Sequence, residues 1–251
     1  MAGNLSWLNP AIRLPYPALF LTLSGAHLYG FPSPDSDYDI RGVHVLPLQE
    51  VVGLHAKRET IETSTTYDGH AIDLVTHDVE KYCRQLLKRD GTVLEYLYSP
   101  LVIQTSLVHE ELQSVARECV TRQHHYHYLG LARSQWQLFE KEPAHRVKPL
   151  LYVYRALLTG IHLMRTGAVE ANLVRLNDTA KLSYIPELIT RKSAGTERAS
   201  LADADLQFHH QEYTRLRSTL EEASQRSHLP VAPVPAARAA LHDLLVQVRL
   251  G

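Results

Sequence analysis

Apolar and polar positions in the first hundred residues follow the patterns that are typical of β-strands. The apolar run over residues 18–23 predicts a buried strand that ends at a Ser-Gly turn. Polar and apolar residues then alternate over residues 37–43, which predicts a half-buried strand. Residues 59–65 and 71–75 predict two further strands, joined by a hairpin turn at Asp68-Gly69.

The period of the pattern changes after residue 78, from two residues to between three and four. Apolar side chains mark one helical face over residues 79–87, and Asp78 can cap the start of that helix. A short helix is expected to begin at Thr92 and to end before Pro100. Beyond residue 106 the chain is predicted to be helical almost throughout, with a mixed segment at 167–200 and helices near residues 107–121, 123–141, 146–166, 203–226 and 236–249.

This order of elements predicts an α/β (α+β) fold, in which a small mixed sheet is followed by an all-helical C-terminal domain. The change of pattern places the domain boundary near residue 105. The predicted domains are therefore residues 1–105, the mixed domain, and residues 106–251, the helical domain.

Composition excludes several classes of protein. Hydrophobic residues make up 45% of the chain and charged residues 21%, which is ordinary for a globular protein with a core. Two isolated cysteines exclude a disulfide scaffold and favour reduced thiols. The apolar stretch 14–23 is too short to span a bilayer and is interrupted by Pro15 and Pro17, so we expect a cytoplasmic protein with no membrane association.

The charge is unevenly distributed along the chain. The net charge of -1 argues against a simple nucleic-acid binder. Residues 1–120, however, hold 15 acidic and 9 basic side chains, a balance of -6, whereas residues 121–251 hold 12 and 17, a balance of +5. Such asymmetry suggests an acidic half that binds cations and a basic half that binds phosphates.

Three aspartates form the most informative pattern. Asp37 and Asp39 lie two positions apart in a predicted strand, so their carboxylates project to the same face. If the strand carrying Asp73 pairs beside that strand, three carboxylates converge. Such a set can hold two divalent ions about 3.5–4 Å apart for phosphoryl displacement. An Asp-x-Asp pair by itself is more often a solvated strand face, but here it follows a turn of small residues, Ser24-Gly25-Ala26, that lets backbone amides approach a phosphate.

The combination of a small-residue turn, a spacer, an Asp-x-Asp pair and a later carboxylate resembles the DNA polymerase beta-type nucleotidyltransferase superfamily. The motifs Ser36-Asp37-Tyr38-Asp39-Ile40-Arg41-Gly42 and Asp73-Leu74-Val75-Thr76-His77-Asp78 are similar to those of its bacterial branch of nucleotidyltransferases associated with RNA repair and RNA ligases. The close resemblance covers residues 18–105 and weakens through residues 148–155.

The resemblance implies metal-dependent chemistry and assigns roles to the three acids. Asp37 and Asp39 would ligate both Mg²⁺ (or Mn²⁺) ions, and Asp73 would complete the site on the attacking side, as ligand or general base. The substrate would be a nucleoside triphosphate. One departure concerns nucleotide binding: the superfamily has Gly or Ser after the first glycine, and here Ala26 removes a hydroxyl that Ser24 would have to replace.

Several further residues are candidates for nucleotide binding. Ser36 and Arg41 flank the acidic pair, and Arg41 shares its face; it would neutralise carboxylate or phosphate charge, or form a plain structural salt bridge. Lys148, Tyr152 and Arg155 lie at i, i+4 and i+7 of a predicted helix, a stripe that suits a triphosphate and a base. The alternative for this stripe is a solvated helix face with a half-buried tyrosine.

The sequence thus favours transfer of a nucleoside monophosphate from a nucleoside triphosphate to a hydroxyl group. The resemblance implies that the acceptor is an RNA 3′ end in RNA repair, with an associated RNA ligase. Two alternatives stay open: transfer to a protein hydroxyl or a small molecule, as in toxin–antitoxin-type enzymes, and a non-catalytic RNA-binding module.

Overall fold

The computed structural model describes residues 5–54, 58–142, 145–194 and 205–251. Five strands are found in these ranges: β1 Ala18–Leu23, β2 Tyr38–His44, β3 Thr60–Tyr67, β4 His70–Asp78 and β5 Val102–Gln104. The same ranges contain a 3₁₀ helix, Leu5–Ala11, and the following α-helices: α1 Gly25–Tyr29, α2 Leu48–Val52, α3 Val79–Leu87, α4 Gly91–Leu97, α5 Leu107–Cys119, α6 His124–Lys141, α7 Val147–Thr166, α8 Leu173–Ala180, α9 Tyr184–Ala194, α10 Leu206–Gln225 and α11 Pro235–Leu250.

These elements confirm the predicted fold class, a small mixed sheet with the helices concentrated in the later part of the chain. All four predicted strands are present, and Asp78 caps α3 by accepting a hydrogen bond from the backbone N–H of Glu80. The mixed segment 167–200 contains α8 and α9; its residues 195–200 lie outside the described residues. The helix predicted over 203–226 matches α10, and residues 203–204 lie outside the described residues as well.

The sheet has the strand order β3-β4-β2-β1-β5. β2 and β4 are its parallel neighbours, whereas the other adjacent pairs are antiparallel. The two-residue turn between β3 and β4 consists of Asp68 and Gly69, both with positive φ, as a tight hairpin turn requires. This topology brings the first residues of β2 beside the middle of β4.

Each face of the sheet is covered by a different part of the chain. On one face, Leu21, Leu23, Ile40 and Leu74 form a buried cluster that Leu8 of the 3₁₀ helix completes. On the other face, Phe20 of β1 stacks on His109 of α5, with their ring centroids 4.2 Å apart. Successive side chains along the strands therefore pack into two apolar layers, one on each face of the sheet. Polar side chains are found at one end of the β2–β4 pair.

Two compact units divide the chain differently from the predicted boundary at residue 105. The sheet unit comprises the described residues of 1–28, 37–121 and 232–251; the helical unit comprises those of 29–36 and 122–231. α5 and α11 belong to the sheet unit because they pack on each other and on α3. The domains 1–105 and 106–251 stay a prediction as independent folding entities, but neither is one of these units.

No helix within the described part of the chain is both long enough and apolar enough to cross a membrane.

Candidate active site

Asp39 and Asp73 are directly paired across the two parallel strands of the sheet. The register of β2 and β4 sets Tyr38 beside Ile72, Asp39 beside Asp73 and Ile40 beside Leu74. Since paired residues of neighbouring strands project to the same face, the two carboxylates lie on one side of the sheet. The condition on which the carboxylate prediction rested, that the strand of Asp73 pairs beside that of Asp39, is confirmed.

Arg41 connects the two carboxylates. Its Nη2 atom lies 2.7 Å from Oδ1 of Asp39 and 2.9 Å from Oδ2 of Asp73, and Nη1 donates to the backbone carbonyl of Asp73 at 2.7 Å. Burial lowers the pKa of Arg41, but Asp39, Tyr96 and Asp73 outweigh that effect, so the pKa lies above its ordinary value. The guanidinium is therefore a cation that offsets the charge of both paired acids.

Asp37 lies immediately before β2 and lines an open depression of about 420 Å³. The same depression is lined by Asp39, Asp73 and Ser64, the last from the neighbouring strand β3. The Ser64 hydroxyl donates a hydrogen bond of 3.1 Å to Oδ1 of Asp73. All three predicted acids thus border one solvent-accessible space, in which Asp73 is held by both Ser64 and Arg41.

The donor set of this depression fits magnesium in its chemistry. Carboxylate and hydroxyl oxygens are the hard ligands that Mg²⁺ prefers. Among the described residues, however, no three His, Cys, Asp or Glu side chains are grouped closely enough to hold a metal ion. Binding by Asp37, Asp39 and Asp73 together therefore requires a rearrangement, of which the departure of the Arg41 guanidinium is the obvious part. The metal assignment of the three acids stays a prediction.

The turn Ser24-Gly25-Ala26 is buried beside Asp39. The backbone N–H of Ser24 donates to the carbonyl of Asp39 at 2.8 Å, which joins the turn to β2. Gly25 has a φ of +60°, and a β-carbon built on it would lie 2.7 Å from Cγ of Asp39. A glycine is therefore needed here both for its backbone conformation and for the close approach of the carboxylate. The predicted contact of these three residues with a triphosphate stays a prediction.

The predicted stripe of Lys148, Tyr152 and Arg155 lies in α7, but the three side chains differ in exposure. Arg155 is only 2% exposed, and its guanidinium lies 4.1 Å above the ring of Tyr29. Tyr152 is half-buried and packs edge-on against both Tyr29 and Phe31, with centroid distances of 5.5 Å. Lys148 is half-buried. The nucleotide-binding role of this stripe stays a prediction, and Tyr152 and Arg155 have packing roles within the helical unit.

Ser36 is also buried, and its hydroxyl is engaged by protein groups. Its Oγ accepts a hydrogen bond of 2.9 Å from the backbone N–H of Ser33 and another of 2.9 Å from Nζ of Lys192. The role of Ser36 in nucleotide binding stays a prediction. In the structure, this serine closes the turn that leads directly into Asp37.

Two residues of functional interest were not predicted from the sequence. Ser64 could have been found, because a two-residue turn at Asp68-Gly69 pairs Tyr67 with His70 and, three positions further along each strand, Ser64 with Asp73. Lys192 carries no comparable signal. It lies in the segment of mixed pattern, and its contacts with Ser33 and Ser36 join residues more than 150 positions apart.

Comparison with known proteins gives a family match over nearly the whole chain. The model of the RNA repair pathway DNA polymerase beta family, RlaP, matches residues 10–247. The matched range includes the acidic depression, α5 and the whole helical unit.

Two proteins with similar sequences are described as uncharacterized. The uncharacterized protein MJ0002 of Methanocaldococcus jannaschii is 31% identical over 154 residues, which cover 61% of this chain and 63% of that protein. The uncharacterized protein YcgL of Bacillus subtilis is 26% identical over 209 residues, or 79% of each chain. The chain thus spans slightly less than two thirds of its archaeal relative.

One solved structure is similar along most of the chain. It is the crystal structure of a nucleotidyltransferase-like protein from Exiguobacterium sibiricum, 12% identical, with a match that covers 96% of this chain and 76% of that one. The TM-score of 0.33 marks a distant likeness, which adds nothing to what the sheet itself shows.

Proposed function

Because the chain belongs to the RNA repair pathway DNA polymerase beta family, we propose that it is a metal-dependent nucleotidyltransferase that transfers a nucleoside monophosphate from a nucleoside triphosphate to a hydroxyl group. The acceptor in this proposal is an RNA 3′ end, and an RNA ligase acts with the protein in repair. The observation that supports the activity most directly is the pairing of Asp39 with Asp73 in adjacent parallel strands, beside a depression that Asp37 also lines.

The reaction needs one bond to form and one to break at the α-phosphorus. The acceptor oxygen attacks the phosphorus, the bond to the β-phosphate oxygen breaks, and pyrophosphate leaves with the electron pair. Bound Mg²⁺ would neutralise the charge of the triphosphate and lower the pKa of the attacking hydroxyl. Asp37 and Asp39 would hold the ions, and Asp73 would complete the attacking side.

The described contacts suit Asp73 for accepting the proton of the acceptor hydroxyl. The Ser64 hydroxyl donates to Oδ1 of Asp73, so this carboxylate keeps a fixed contact when the Arg41 guanidinium leaves Oδ2. Fixed orientation is what makes a general base effective, because proton transfer needs a short and well-aligned contact. Catalysis by this site would consist of positioning and charge neutralisation.

The test is a transfer assay with α-³²P-labelled nucleoside triphosphates, Mg²⁺ or Mn²⁺, and RNAs that end in a 3′ hydroxyl. RNAs with a blocked 3′ end, DNA and polypeptide are the comparison acceptors. We expect label on the RNAs with a free 3′ hydroxyl and stoichiometric release of pyrophosphate. Asp37→Asn, Asp39→Asn and Asp73→Asn should each lower the rate by about 100-fold or more.

Asp68→Asn is the matched control, since this exposed acid lies in the turn of the same β3–β4 hairpin but outside the depression. It should retain the wild-type rate. Unchanged transfer in the three site variants would overturn the metal assignment. Label on polypeptide alone would move the acceptor from RNA to protein, and the absence of transfer to every acceptor would favour a non-catalytic RNA-binding module.

A further inference from the structure

We infer that Lys192 is the positioning residue for Asp37, one of the proposed metal ligands, and that it acts through the turn at residues 33–36. The inference rests on the proposed function, because it assigns a role in metal binding to a residue outside the depression. Its basis is that Lys192 bonds both Ser33 and Ser36, and that Ser36 directly precedes Asp37 in the chain.

Aromatic packing holds the beginning of the 29–36 segment. The guanidinium of the buried Arg155 lies over the Tyr29 ring, and Tyr152 packs edge-on against Tyr29 and Phe31. A cation above an aromatic face and edge-to-face aromatic pairs are each stabilising contacts. α7 therefore fixes the segment where it leaves α1.

Gly30 fixes the segment against the start of α8. Its φ is +86°, and a β-carbon built there would lie 2.6 Å from Oδ1 of Asn172. The same Oδ1 caps α8 by accepting from the backbone N–H groups of Val174 and Arg175. The segment thus lies against a side chain that is already held in place, which leaves it little freedom to shift.

Lys192 holds the end of the segment. Its side chain is 1% exposed, and Nζ donates to Oγ of Ser33 at 2.7 Å and to Oγ of Ser36 at 2.9 Å. The two serines are also bonded to each other, because the backbone N–H of Ser36 donates to the carbonyl of Ser33 at 3.0 Å and the backbone N–H of Ser33 donates to Oγ of Ser36. One buried ammonium group therefore closes the turn at residues 33–36.

Burial of this ammonium group makes the turn rigid. A lysine loses much of its hydration when it is buried, so its hydrogen bonds have to be kept for the fold to be stable. A displacement of the turn at residues 33–36 would break them. The Cα atoms of Ser36 and Asp37 are separated by a single peptide unit of about 3.8 Å, so a change in the turn alters the direction in which the main chain enters Asp37.

Metal binding is sensitive to such shifts, because Mg²⁺ demands nearly ideal octahedral geometry. Residues that orient a ligand through one intermediate contact alter metal affinity by about 10–100-fold when they are replaced. We place Lys192 at the lower end of that range, since it acts on Asp37 through Ser36 and the main chain.

The test compares Lys192→Met and Ser33→Ala with the wild-type protein. Arg191→Met is the matched control: Arg191 is the preceding residue of α9, and its partly exposed side chain pairs with Glu187. The measurements are the Mg²⁺ concentration at half-maximal transfer, kcat at saturating Mg²⁺, and direct Mn²⁺ binding by electron paramagnetic resonance. Urea unfolding reports the stability of each variant.

We expect half-saturating Mg²⁺ and the Kd for Mn²⁺ to rise about tenfold in Lys192→Met and less in Ser33→Ala. High Mg²⁺ should restore kcat in both, because the ligands themselves are intact, and KM for the acceptor should be unchanged. If Lys192→Met does not fold, the metal dependence of Ser33→Ala becomes the measurement that tests the inference. Lower stability with wild-type metal dependence would reduce Lys192 to a structural role and overturn the inference.

Asp37→Asn separates this inference from the proposed function. If Asp37→Asn loses Mn²⁺ binding whereas Lys192→Met and Ser33→Ala keep it, the proposed function stands and the inference fails. If Asp37→Asn itself keeps Mn²⁺ binding and activity, the metal site is wrongly assigned and the proposed function fails first.

Discussion

The carboxylate of Asp39 is packed directly against the backbone of Gly25, where no β-carbon can be accommodated without displacing it. We expect Gly25→Ala to lower the free energy of unfolding by about 1–3 kcal/mol, because alanine is strained at positive φ. It should also abolish transfer activity, because the added methyl group displaces Asp39. The measurements are urea unfolding and the transfer assay.

Gly69→Ala is the control for this prediction. Gly69 also has positive φ, at +77°, but a β-carbon there would meet open space. It should cause a similar loss of stability and keep activity. Equal activity in the two alanine variants would show that the Gly25–Asp39 contact does not matter for the reaction.

The Arg41 guanidinium pairs with both Asp39 and Asp73, two of the acids proposed to hold the metal. We expect Arg41→Met to bind Mn²⁺ more tightly, with a Kd lower by roughly 5–30-fold, the equivalent of about 1–2 kcal/mol. Without metal, the variant should unfold at lower urea concentration, because the two acids then repel each other. Isothermal titration calorimetry and urea unfolding with and without Mg²⁺ measure the two effects.

Arg84→Met is the control, since Arg84 also pairs with two carboxylates, those of Glu59 and Glu80, but is more exposed. It should leave metal binding unchanged. Weaker Mn²⁺ binding by Arg41→Met would mean that the guanidinium supports the metal-binding arrangement and does not compete with the metal.

His77 of β4 makes the stability of the sheet unit sensitive to acid. Burial, with the nearby charges of Lys81 and His44, lowers the pKa of His77 from 6.5 to about 4, against a smaller opposing effect of Asp90. Between those pH values the unfolded chain binds the proton and the folded chain does not, so the free energy of unfolding falls as the pH drops from 6.5 towards 4. Above pH 6.5 the titration of His77 does not change the free energy of unfolding.

Urea unfolding at a series of pH values tests this prediction. His77→Gln should lose less stability than the wild-type protein between pH 6.5 and 4, because one titrating group is gone. The exposed His242 of α11 provides the control, and His242→Gln should follow the wild-type curve. Parallel curves for His77→Gln and the wild-type protein would refute the assignment.

α11 is joined to the sheet by an ion pair that is almost completely buried. Nη2 of Arg249 lies 2.6 Å from Oδ1 of Asp78, with side-chain exposures of 7% and 0%, and Nη1 donates to the carbonyl of Leu46. Removal of one partner leaves the other charge buried and uncompensated. We expect Arg249→Met to lower the free energy of unfolding by about 3–5 kcal/mol.

Arg238→Met, an exposed position of the same helix, should change the free energy of unfolding by less than about 0.5 kcal/mol. Urea unfolding followed by circular dichroism measures both variants. A loss below about 1 kcal/mol in Arg249→Met would mean that water replaces the guanidinium at Asp78.

The sequence was sufficient to predict the long elements of the fold, whereas the placement of Asp73 beside Asp39 depended on a strand pairing that was only assumed. Strands were predicted at residues 37–43, from their alternation, and at residues 71–75; the structure then pairs these strands and sets Asp39 beside Asp73. The short elements were missed for a physical reason. α1 and α2 have five residues each and β5 has three, too few for a hydrophobic period to be recognised.

The pattern of hydrophobic and polar residues could not predict contacts between distant parts of the chain. Arg155 occupies a position on α7 that is typical of a solvated basic face, yet it is buried because Tyr29 supplies an aromatic partner from far along the sequence. α11 has the periodicity of any helix, and nothing in it indicates that Arg249 pairs with Asp78. Periodicity reports which face of an element is apolar and not which element it meets.

The position of α11 in the chain has a consequence for synthesis on the ribosome. The sheet strands and Asp78 are translated first, then the whole helical segment 122–231, and only afterwards the helix that neutralises Asp78. Domains generally fold in the order in which they emerge, but here the nascent sheet is left with an uncovered α3–α5 surface and an uncompensated acid until α11 appears. The acidic depression therefore reaches its final stability late in translation, after the helical unit is already able to fold.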